Sequence, residues 1–219
     1  TRGRLSGDLP RTGELNPRAV AQAFGLPTPA LPAASPLVKM RPPRLCDGCP
    51  HANSYDALNE VLKNRPTSRI FGDIGCYTLG ALPPYNAIHS CVDMGASISM
   101  AKGAADAGVQ PAVAVIGDST FTHSGMTALL DAVWENSPIT VIILDNGTTG
   151  MTGGQTSQAA GRMENICAGL GVAEHIRILT PLPKHHADNV KALTEELDYA
   201  GLSVVIFRRE CIQTLRRKK

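Results

Sequence analysis

Apolar runs alternate with helical patterns from residue 45 to residue 212, and this alternation constrains the fold more than any other feature. The runs at 139–144 and 203–207 are almost continuously apolar, which is typical of strands covered by helices on both faces. Trp134 and Cys167 fall within helical patterns and are expected in the core. The order predicts an α/β fold, a doubly wound, mostly parallel sheet with helices on both faces. Its strands are predicted at 70–71, 88–92, 112–116, 139–144 and 203–207, and its helices at 54–63, 96–107, 124–136, 162–170 and 188–199.

The first 44 residues have a different character and are predicted to be a linker. Nine of the sixteen prolines fall within the first 50 residues, which disfavours helices and central strands there. A short helix from Pro17, with Asn16 as its N-cap, is the one regular element expected in this stretch. We therefore expect a Pro-rich linker (1–44), one domain (45–212) and a basic tail (213–219), and we expect the chain to be a fragment of a longer protein.

Composition and charge exclude several classes of protein. Hydrophobic residues make up 43% of the chain and charged residues 18%, which is typical of a globular protein rather than a disordered one. No apolar run reaches the ~18–20 residues of a membrane span. No secretory signal follows Thr1, so a cytoplasmic protein with reduced thiols is expected. The net charge is only +2. Basic residues are concentrated at 208–219, but this cluster is too weak a signal to predict nucleic-acid binding.

Two polar loops follow the third and fourth predicted strands. Asp118 lies in the first loop and Asn146 in the second. Both loops should open at the carboxyl edge of a parallel sheet, where such folds bind ligands. Their oxygen atoms suit Mg²⁺, and the N–H groups of Ser119 and Thr120, at the start of a helix, would stabilise a phosphate. The alternative is that Asp118 and Asn146 are ordinary helix-cap and turn residues.

The spacing of the two loops favours a ligand site. Between Ser119 and Asp145 there are 25 residues, which resembles the thiamine-diphosphate signature of Gly-Asp-Gly, a spacer of similar length and Asn-Asn. Ser119 stands where the signature has its last Gly, and Asp145 where it has its first Asn. Asp118 and Asn146, which match the Mg²⁺ ligands of the signature, are both present.

Further segments narrow the resemblance. They are Cys-Asp-Gly-Cys-Pro-His at 46–51, Gly-Asp-Ile-Gly-Cys at 72–76 with its continuation to 84, and the segments 94–98, 117–124 and 150–155. Over roughly residues 44–212 the chain is similar to the 2-oxoacid:ferredoxin oxidoreductases. Within that family it most resembles the α subunit of the indolepyruvate:ferredoxin oxidoreductases.

The resemblance implies that residues 45–212 form a thiamine-diphosphate-binding domain, the half of the site that holds the diphosphate. It implies that Asp118, Asn146 and the backbone carbonyl of Thr148 bind Mg²⁺. The residues that match positions lining the cofactor are Gly75, Cys76, Tyr77, Gly95, Gly117, Ser119, Thr120, Gly150 and Met151.

The resemblance also implies an activity and partners. The enzyme would oxidatively decarboxylate an aryl pyruvate such as indolepyruvate, pass the electrons to ferredoxin and transfer the acyl group to coenzyme A, giving an aryl-acetyl-CoA. In this family the pyrimidine-binding domain is separate, and no second domain of that kind is recognised in the sequence. A pyrimidine-binding domain, a partner subunit and an oligomeric enzyme are therefore implied, with no turnover by this chain alone. Neither nucleic acid nor membrane is expected as a partner.

The cysteines are implied to hold a four-iron, four-sulfur cluster. Cys46, Cys49 and Cys76 match the family by motif, whereas Cys211 matches only by its position after the last strand. Asp47 stands where the family usually has Pro. His51 and His123 are candidates for direct contact with substrate or cofactor; the alternative is that both are structural.

Three other functions remain open. One is a 2-oxoacid:ferredoxin oxidoreductase with another substrate. The second is a non-oxidative thiamine-diphosphate decarboxylase, which explains the magnesium site but has no use for the four thiols. The third is a zinc-binding structural module built on Cys46 and Cys49, which leaves the spacing of Asp118 and Asn146 unexplained.

Overall fold

The computed structural model describes residues 3–39, 42–172 and 174–218. The chain divides into one unit over Thr1–Pro42 and a second over Pro43–Lys219. Residues 1, 2, 40 and 41 of the predicted linker and residue 219 of the predicted tail lie outside the described residues.

The first unit contains one helix, α1 (Pro17–Ala23), as predicted. The side chain of Asn16 accepts a hydrogen bond of 2.9 Å from the backbone N–H of Ala19, and Pro17 occupies the first helical position, where its missing N–H is not needed. No residue of α1 is buried. The helix is therefore stabilised by its cap rather than by a core.

The second unit is built on a parallel sheet of six strands in the order β2-β1-β3-β4-β8-β7, with a separate antiparallel pair β5-β6. All five predicted strands are confirmed, whereas β5, β6 and β7 were not predicted. The strands are β1 (Arg69–Gly72), β2 (Ser90–Cys91), β3 (Ala112–Gly117), β4 (Ile139–Asp145), β5 (Thr148–Thr149), β6 (Gln155–Thr156), β7 (Ile176–Leu179) and β8 (Ser203–Arg208).

Helices cover both faces of this sheet, as predicted. A π-helical turn over Phe121–Gly125 joins α4 to α5 in one continuous helical run. The basic end, predicted as a tail, is helical as α8 over most of its described length. The helices are α2 (Pro50–Leu62), α3 (Ala96–Asp106), α4 (Asp118–Thr120), α5 (Met126–Trp134), α6 (Met163–Gly169), α7 (His186–Asp198) and α8 (Ile212–Arg217).

The core lies in two layers, one on each face of the sheet. Every residue of β3 and β4 is buried, and successive residues of a strand point to opposite faces. Val113 and Ile142 therefore join the layer beneath α2 and α7, while Ala114 and Val141 join the layer beneath α3, α5 and α6. Among the helices that the structure describes, none is long and apolar enough to cross a membrane.

The prediction that Trp134 lies in the core is wrong. Its side chain is 87% exposed, and Leu130, one turn earlier, is 51% exposed. The helical period turns Leu129 and Ala132 toward the sheet instead, so residues 130 and 134 share the outer face of α5. Cys167, by contrast, is fully buried, as predicted.

The strand order creates a crevice at one edge of the sheet. From β1 the chain continues to β2 on one side, and then to β3 on the other side of β1. In doubly wound sheets such a reversal opens a crevice at the carboxyl ends of the strands. The loop after β1 is tied to α3 at this point, because fully buried Asp73 accepts hydrogen bonds from the backbone N–H groups of Gly95 (2.8 Å) and Ser97 (3.2 Å).

We predict that Asp73→Ala lowers the free energy of unfolding by about 2–4 kcal/mol, because two buried N–H groups lose their acceptor. Chemical denaturation followed by circular dichroism measures the change. Asp93→Ala, in the segment between β2 and α3 and exposed, is the control and should change the free energy of unfolding by less than about 0.5 kcal/mol. Equal effects of the two substitutions would show that Asp73 does not hold α3 in this way.

Candidate functional site

A cavity of about 260 Å³ lies at the carboxyl ends of β1, β3 and β4. Five of its lining residues were not predicted from the sequence, although three of them, Ile74, Met94 and Thr152, lie within segments that carried the resemblance; the other two are Leu144 and Thr149. The cavity is otherwise lined by eleven of the twelve residues proposed from the sequence for cofactor or magnesium: Gly75, Cys76, Tyr77, Gly117, Asp118, Ser119, Thr120, Asn146, Thr148, Gly150 and Met151.

Three of the residues predicted to contact cofactor or substrate lie elsewhere. Gly95 is not among the residues that line the cavity; it is the N-cap of α3, with a φ of 96°. A side chain there would also meet Ser124, whose Oγ lies 2.5 Å from the position of a Cβ. His123 is exposed and lies 3.0 Å from the hydroxyl of Ser124. His51 is buried behind the cavity wall, where it contacts Asn146.

Asp118 and Asn146 are brought together by the register of the sheet. In the parallel ladder Gly117 is paired with Leu144, so the loops after β3 and β4 leave the sheet side by side. One carboxylate oxygen of Asp118 accepts a hydrogen bond of 2.9 Å from the backbone N–H of Gly147. Thr148 follows, and its N–H donates to Oδ1 of Asn146 at 3.0 Å.

Asp118 is a buried carboxylate, only 3% exposed. Within the described part of the chain, none of its contacts is an ion pair with Lys, Arg or His. Burial raises the pKa of Asp118 to about 6, and the nearby charge of Asp145 adds to the increase. A buried acid that lacks a cationic partner beside neutral amide and carbonyl oxygens is a donor set that fits a hard divalent cation.

Asp145, where the signature has Asn, is neutralised differently. It is paired in register with Arg208 of β8, whose Nε donates to it at 2.7 Å. The remaining nitrogens of Arg208 donate to both carboxylate oxygens of Glu164 at 2.6 Å, and this lowers the pKa of Glu164 to about 2. The charge of Asp145 is therefore balanced on the side away from Asp118, which leaves Asp118 free for another cation.

The ring of Tyr77 explains two of the glycines. A Cβ on Gly75 would lie 2.3 Å from Cε1 of Tyr77, and a Cβ on Gly117 would lie 2.5 Å from the same atom. The Tyr77 hydroxyl donates to the carbonyl of Ile74 at 3.0 Å. Any larger residue at 75 or 117 must displace this ring, so both glycines have a packing role besides lining the cavity.

The groups near Ser119 and Thr120 that were expected to donate hydrogen bonds to a phosphate are partly occupied by hydrogen bonds within the protein. The N–H of Ser119 donates to Oδ1 of Asp118 at 2.8 Å, so it is not the free donor that the sequence predicted. The Ser119 hydroxyl accepts from Thr149 at 2.9 Å, and the Thr120 hydroxyl donates to the carbonyl of Ile74 at 3.0 Å. Hydroxyl groups therefore line this part of the wall.

The four cysteines of the predicted cluster lie near one another. Burial, chiefly, raises the pKa of Cys49 to about 11, and charges on Cys46 and Cys211 contribute to the increase. Burial and the same two cysteines also raise the pKa of Cys76, whose sulfur borders the cavity, 3.2 Å from where a Cβ of Gly150 would lie. No three His, Cys, Asp or Glu side chains in the described ranges are already arranged as ligands of one metal ion.

The sequence of this cavity region matches a known family. Residues 73–207 match the description "thiamine pyrophosphate enzyme, C-terminal TPP binding domain"; thiamine pyrophosphate, or TPP, is another name for thiamine diphosphate. The matched range includes the loops after β1, β3 and β4.

Curated relatives extend over nearly the whole chain. It is 34% identical, over 95% of its length, to indolepyruvate oxidoreductase subunit IorA of Archaeoglobus fulgidus. It is 35% identical, over 93% of its length, to the subunit of the same name from Thermococcus kodakarensis. The chain spans only 37% and 36% of those proteins.

Solved structures share the fold. A 2-oxoglutarate:ferredoxin oxidoreductase from Magnetococcus marinus, with 2-oxoglutarate, coenzyme A and succinyl-CoA bound, has a TM-score of 0.64 at 16% identity, covering 79% of this chain and 66% of that one. A putative thiamin diphosphate-dependent enzyme from Mycobacterium smegmatis has a TM-score of 0.52 at 22% identity, covering 86% of this chain and 38% of that one. At these identities the likeness concerns the fold alone. Because the family match runs through all three strand ends that enclose the cavity, the chain belongs to the family of C-terminal TPP-binding domains of thiamine pyrophosphate enzymes.

Proposed function

We propose that this chain holds the diphosphate of thiamine diphosphate in a 2-oxoacid:ferredoxin oxidoreductase that acts on an aryl pyruvate such as indolepyruvate. One observation carries the proposal. The buried carboxylate of Asp118, without a cationic partner in the described part of the chain, lines the same cavity as Asn146 and the thiol of Cys76. A cation-binding oxygen set and a redox-capable sulfur thus border one space at the carboxyl edge of the sheet.

The metal-binding role falls on three oxygen atoms. A carboxylate oxygen of Asp118, Oδ1 of Asn146 and the backbone carbonyl of Thr148 would hold Mg²⁺, and the diphosphate and water would complete its coordination. The hydroxyls of Ser119 and Thr149 would donate to the diphosphate after small rotations. Bound thiamine diphosphate supplies the nucleophilic carbon and the electron sink for decarboxylation, while the chain supplies position and charge.

An iron–sulfur cluster held by the thiols would supply the path for the electrons. Cys46, Cys49, Cys76 and Cys211 are the proposed ligands of a four-iron, four-sulfur cluster. Charges on Cys46 and Cys211 contribute to the raised pKa of both Cys49 and Cys76, which supports a common site. Six free thiols fit the expected cytoplasmic location. Ferredoxin as acceptor is supported by the fold shared with a ferredoxin-linked oxidoreductase.

The remaining parts of the reaction are proposed from relatives. Coenzyme A as acyl acceptor is supported by the related fold that was solved with coenzyme A and succinyl-CoA bound. Indolepyruvate as substrate is supported by the name of the curated relatives.

A partner domain would complete the site. Large apolar side chains are exposed around the cavity, with Ile74 at 40%, Met94 at 41% and Met151 at 68%. Apolar surface of this kind beside a ligand cavity is typical of an interface. We propose that a pyrimidine-binding domain of the full-length protein or of a partner subunit covers it, in an oligomeric enzyme.

We predict that Asp118→Asn weakens Mg²⁺-dependent binding of thiamine diphosphate by roughly 100-fold or more, since removing even an outer partner of a metal ligand costs 10–100-fold. Titration calorimetry on the full-length protein with its partner subunit measures the affinity. Asp131→Asn, an exposed change on α5, is the matched control and should bind like the unmodified enzyme. Unchanged affinity in Asp118→Asn would refute the magnesium assignment.

We predict that Cys211→Ser removes roughly four iron atoms from the anaerobically purified enzyme, the content of one cluster. Iron and sulfide analysis, with EPR of the dithionite-reduced protein, measures the loss. Cys91→Ser, which changes a partly buried thiol outside the proposed set, should keep its iron. Full iron content in Cys211→Ser would remove this ligand, and a colourless enzyme containing zinc would favour the structural-module alternative.

A further inference from the structure

His51 is placed to affect the proposed metal site through residues that line the cavity, without lining the cavity itself. It lies in the first turn of α2, two residues after Cys49, and is only 3% exposed. Its Nε2 lies 3.1 Å from Nδ2 of Asn146. The edge of its ring meets Tyr77, with ring centroids 5.9 Å apart and planes at 84°. It is not among the residues that line the cavity, so it reaches the site through two residues that are, Asn146 and Tyr77.

The direction of the hydrogen bond between His51 and Asn146 follows from the contact made by the oxygen of the Asn146 amide. The backbone N–H of Thr148 can only donate, and it lies 3.0 Å from the Asn146 oxygen. The Asn146 atom that faces His51 is therefore the NH₂ nitrogen, which also can only donate. Consequently Nε2 of His51 must accept and carry no proton, and the proton of the neutral ring sits on Nδ1.

The backbone of Asn146 is held separately. Its carbonyl accepts a hydrogen bond of 3.1 Å from the N–H of Cys211, at the start of α8. Loss of the His51 acceptor would therefore release the NH₂ end of the amide while the loop stays attached to β8 and α8. The amide would then be held at its oxygen end alone, by the N–H of Thr148, a near neighbour in sequence.

We propose that His51 is a positioning residue, which fixes the Asn146 amide so that Oδ1 stays directed at the magnesium. This role rests on the proposed function. It places His51 among the outer partners that orient metal ligands rather than among groups that contact substrate. The same imidazole joins the Cys46–Cys49 segment to the loop after β4, so the thiol site and the metal site share one structural link.

The test uses two substitutions of His51 in the full-length protein with its partner subunit. His51→Phe keeps a ring of similar size against Tyr77 but removes the acceptor, and should weaken binding of thiamine diphosphate at saturating Mg²⁺ by roughly 10-fold. His51→Gln restores an acceptor oxygen and should bind within about threefold of the unmodified enzyme, since one retained hydrogen bond preserves the amide orientation. His185→Phe, the matched control before α7, should have no effect.

A double-mutant cycle then separates positioning from general damage. In an Asn146→Ala background there is no amide to orient, so adding His51→Phe should not weaken binding further. Additive losses would overturn the proposal, as would equal losses in His51→Gln and His51→Phe, or unchanged affinity in His51→Phe.

A measurement on the unmodified enzyme decides the matter if His51→Phe does not fold. Nitrogen-15 NMR of histidine-labelled enzyme should show Nε2 of His51 unprotonated and Nδ1 protonated at neutral pH, and a protonated Nε2 in a neutral ring would overturn the proposal. The two proposals fail differently. If the unmodified enzyme binds no Mg²⁺–thiamine diphosphate, the proposed function fails; if it binds but the His51 variants behave like it, only the positioning role fails.

Discussion

The parallel pairing of β3 with β4 is the contact on which the site depends. Ladder partners run from Ala112 and Ile139 to Gly117 and Leu144, and all of these residues belong to strands buried on both faces. A shift of one residue would turn the apolar side chains of one strand to the wrong layer. The core therefore locks the register, and the register places Asp118 beside the loop that carries Asn146.

Charge is distributed unequally across this edge of the sheet. Asp73 is satisfied by backbone N–H groups at the start of α3, and Asp145 by the guanidinium of Arg208. Asp118 has backbone donors but no cation in the described part of the chain. Neither Asp73 nor Asp118 forms an ion pair within the described part of the chain, but of the two only Asp118 lines the cavity, where a bound cation could reach its carboxylate. This difference, more than the size of the cavity, points to a metal.

Much of the architecture could be predicted because a long, strongly apolar segment indicates a buried strand. The strands at β3, β4 and β8 are of that kind. Strand β7 could not be predicted in the same way: it is an edge strand whose middle residues, Arg177 and Ile178, are exposed, so neither alternation nor continuous apolarity marks it. Trp134 was misplaced because a large apolar residue on a helix is usually buried, whereas the helical period here puts it outside.

The candidate site divides in a similar way. Motif spacing selected Asp118, Asn146 and the cavity-lining glycines, because residues that follow neighbouring parallel strands must meet. The spacing of motifs does not predict contacts between segments that are distant in the chain. The bond from Asn146 to His51 joins residues 95 positions apart, and only the folded chain brings them within reach. For the same reason the hydrogen bond from the N–H of Gly95 to Asp73, a residue of the Gly-Asp-Ile-Gly-Cys motif, could be recognised only in the structure.

The most direct test of the metal assignment is a structure of the full-length enzyme with its partner subunit, thiamine diphosphate and Mn²⁺ in place of Mg²⁺. Anomalous scattering would locate the manganese without reference to the protein density. We predict a peak within about 2.5 Å of a carboxylate oxygen of Asp118 and of Oδ1 of Asn146, a distance close to that of a directly bound divalent cation. Manganese and diphosphate bound away from both residues would contradict the assignment of this cavity.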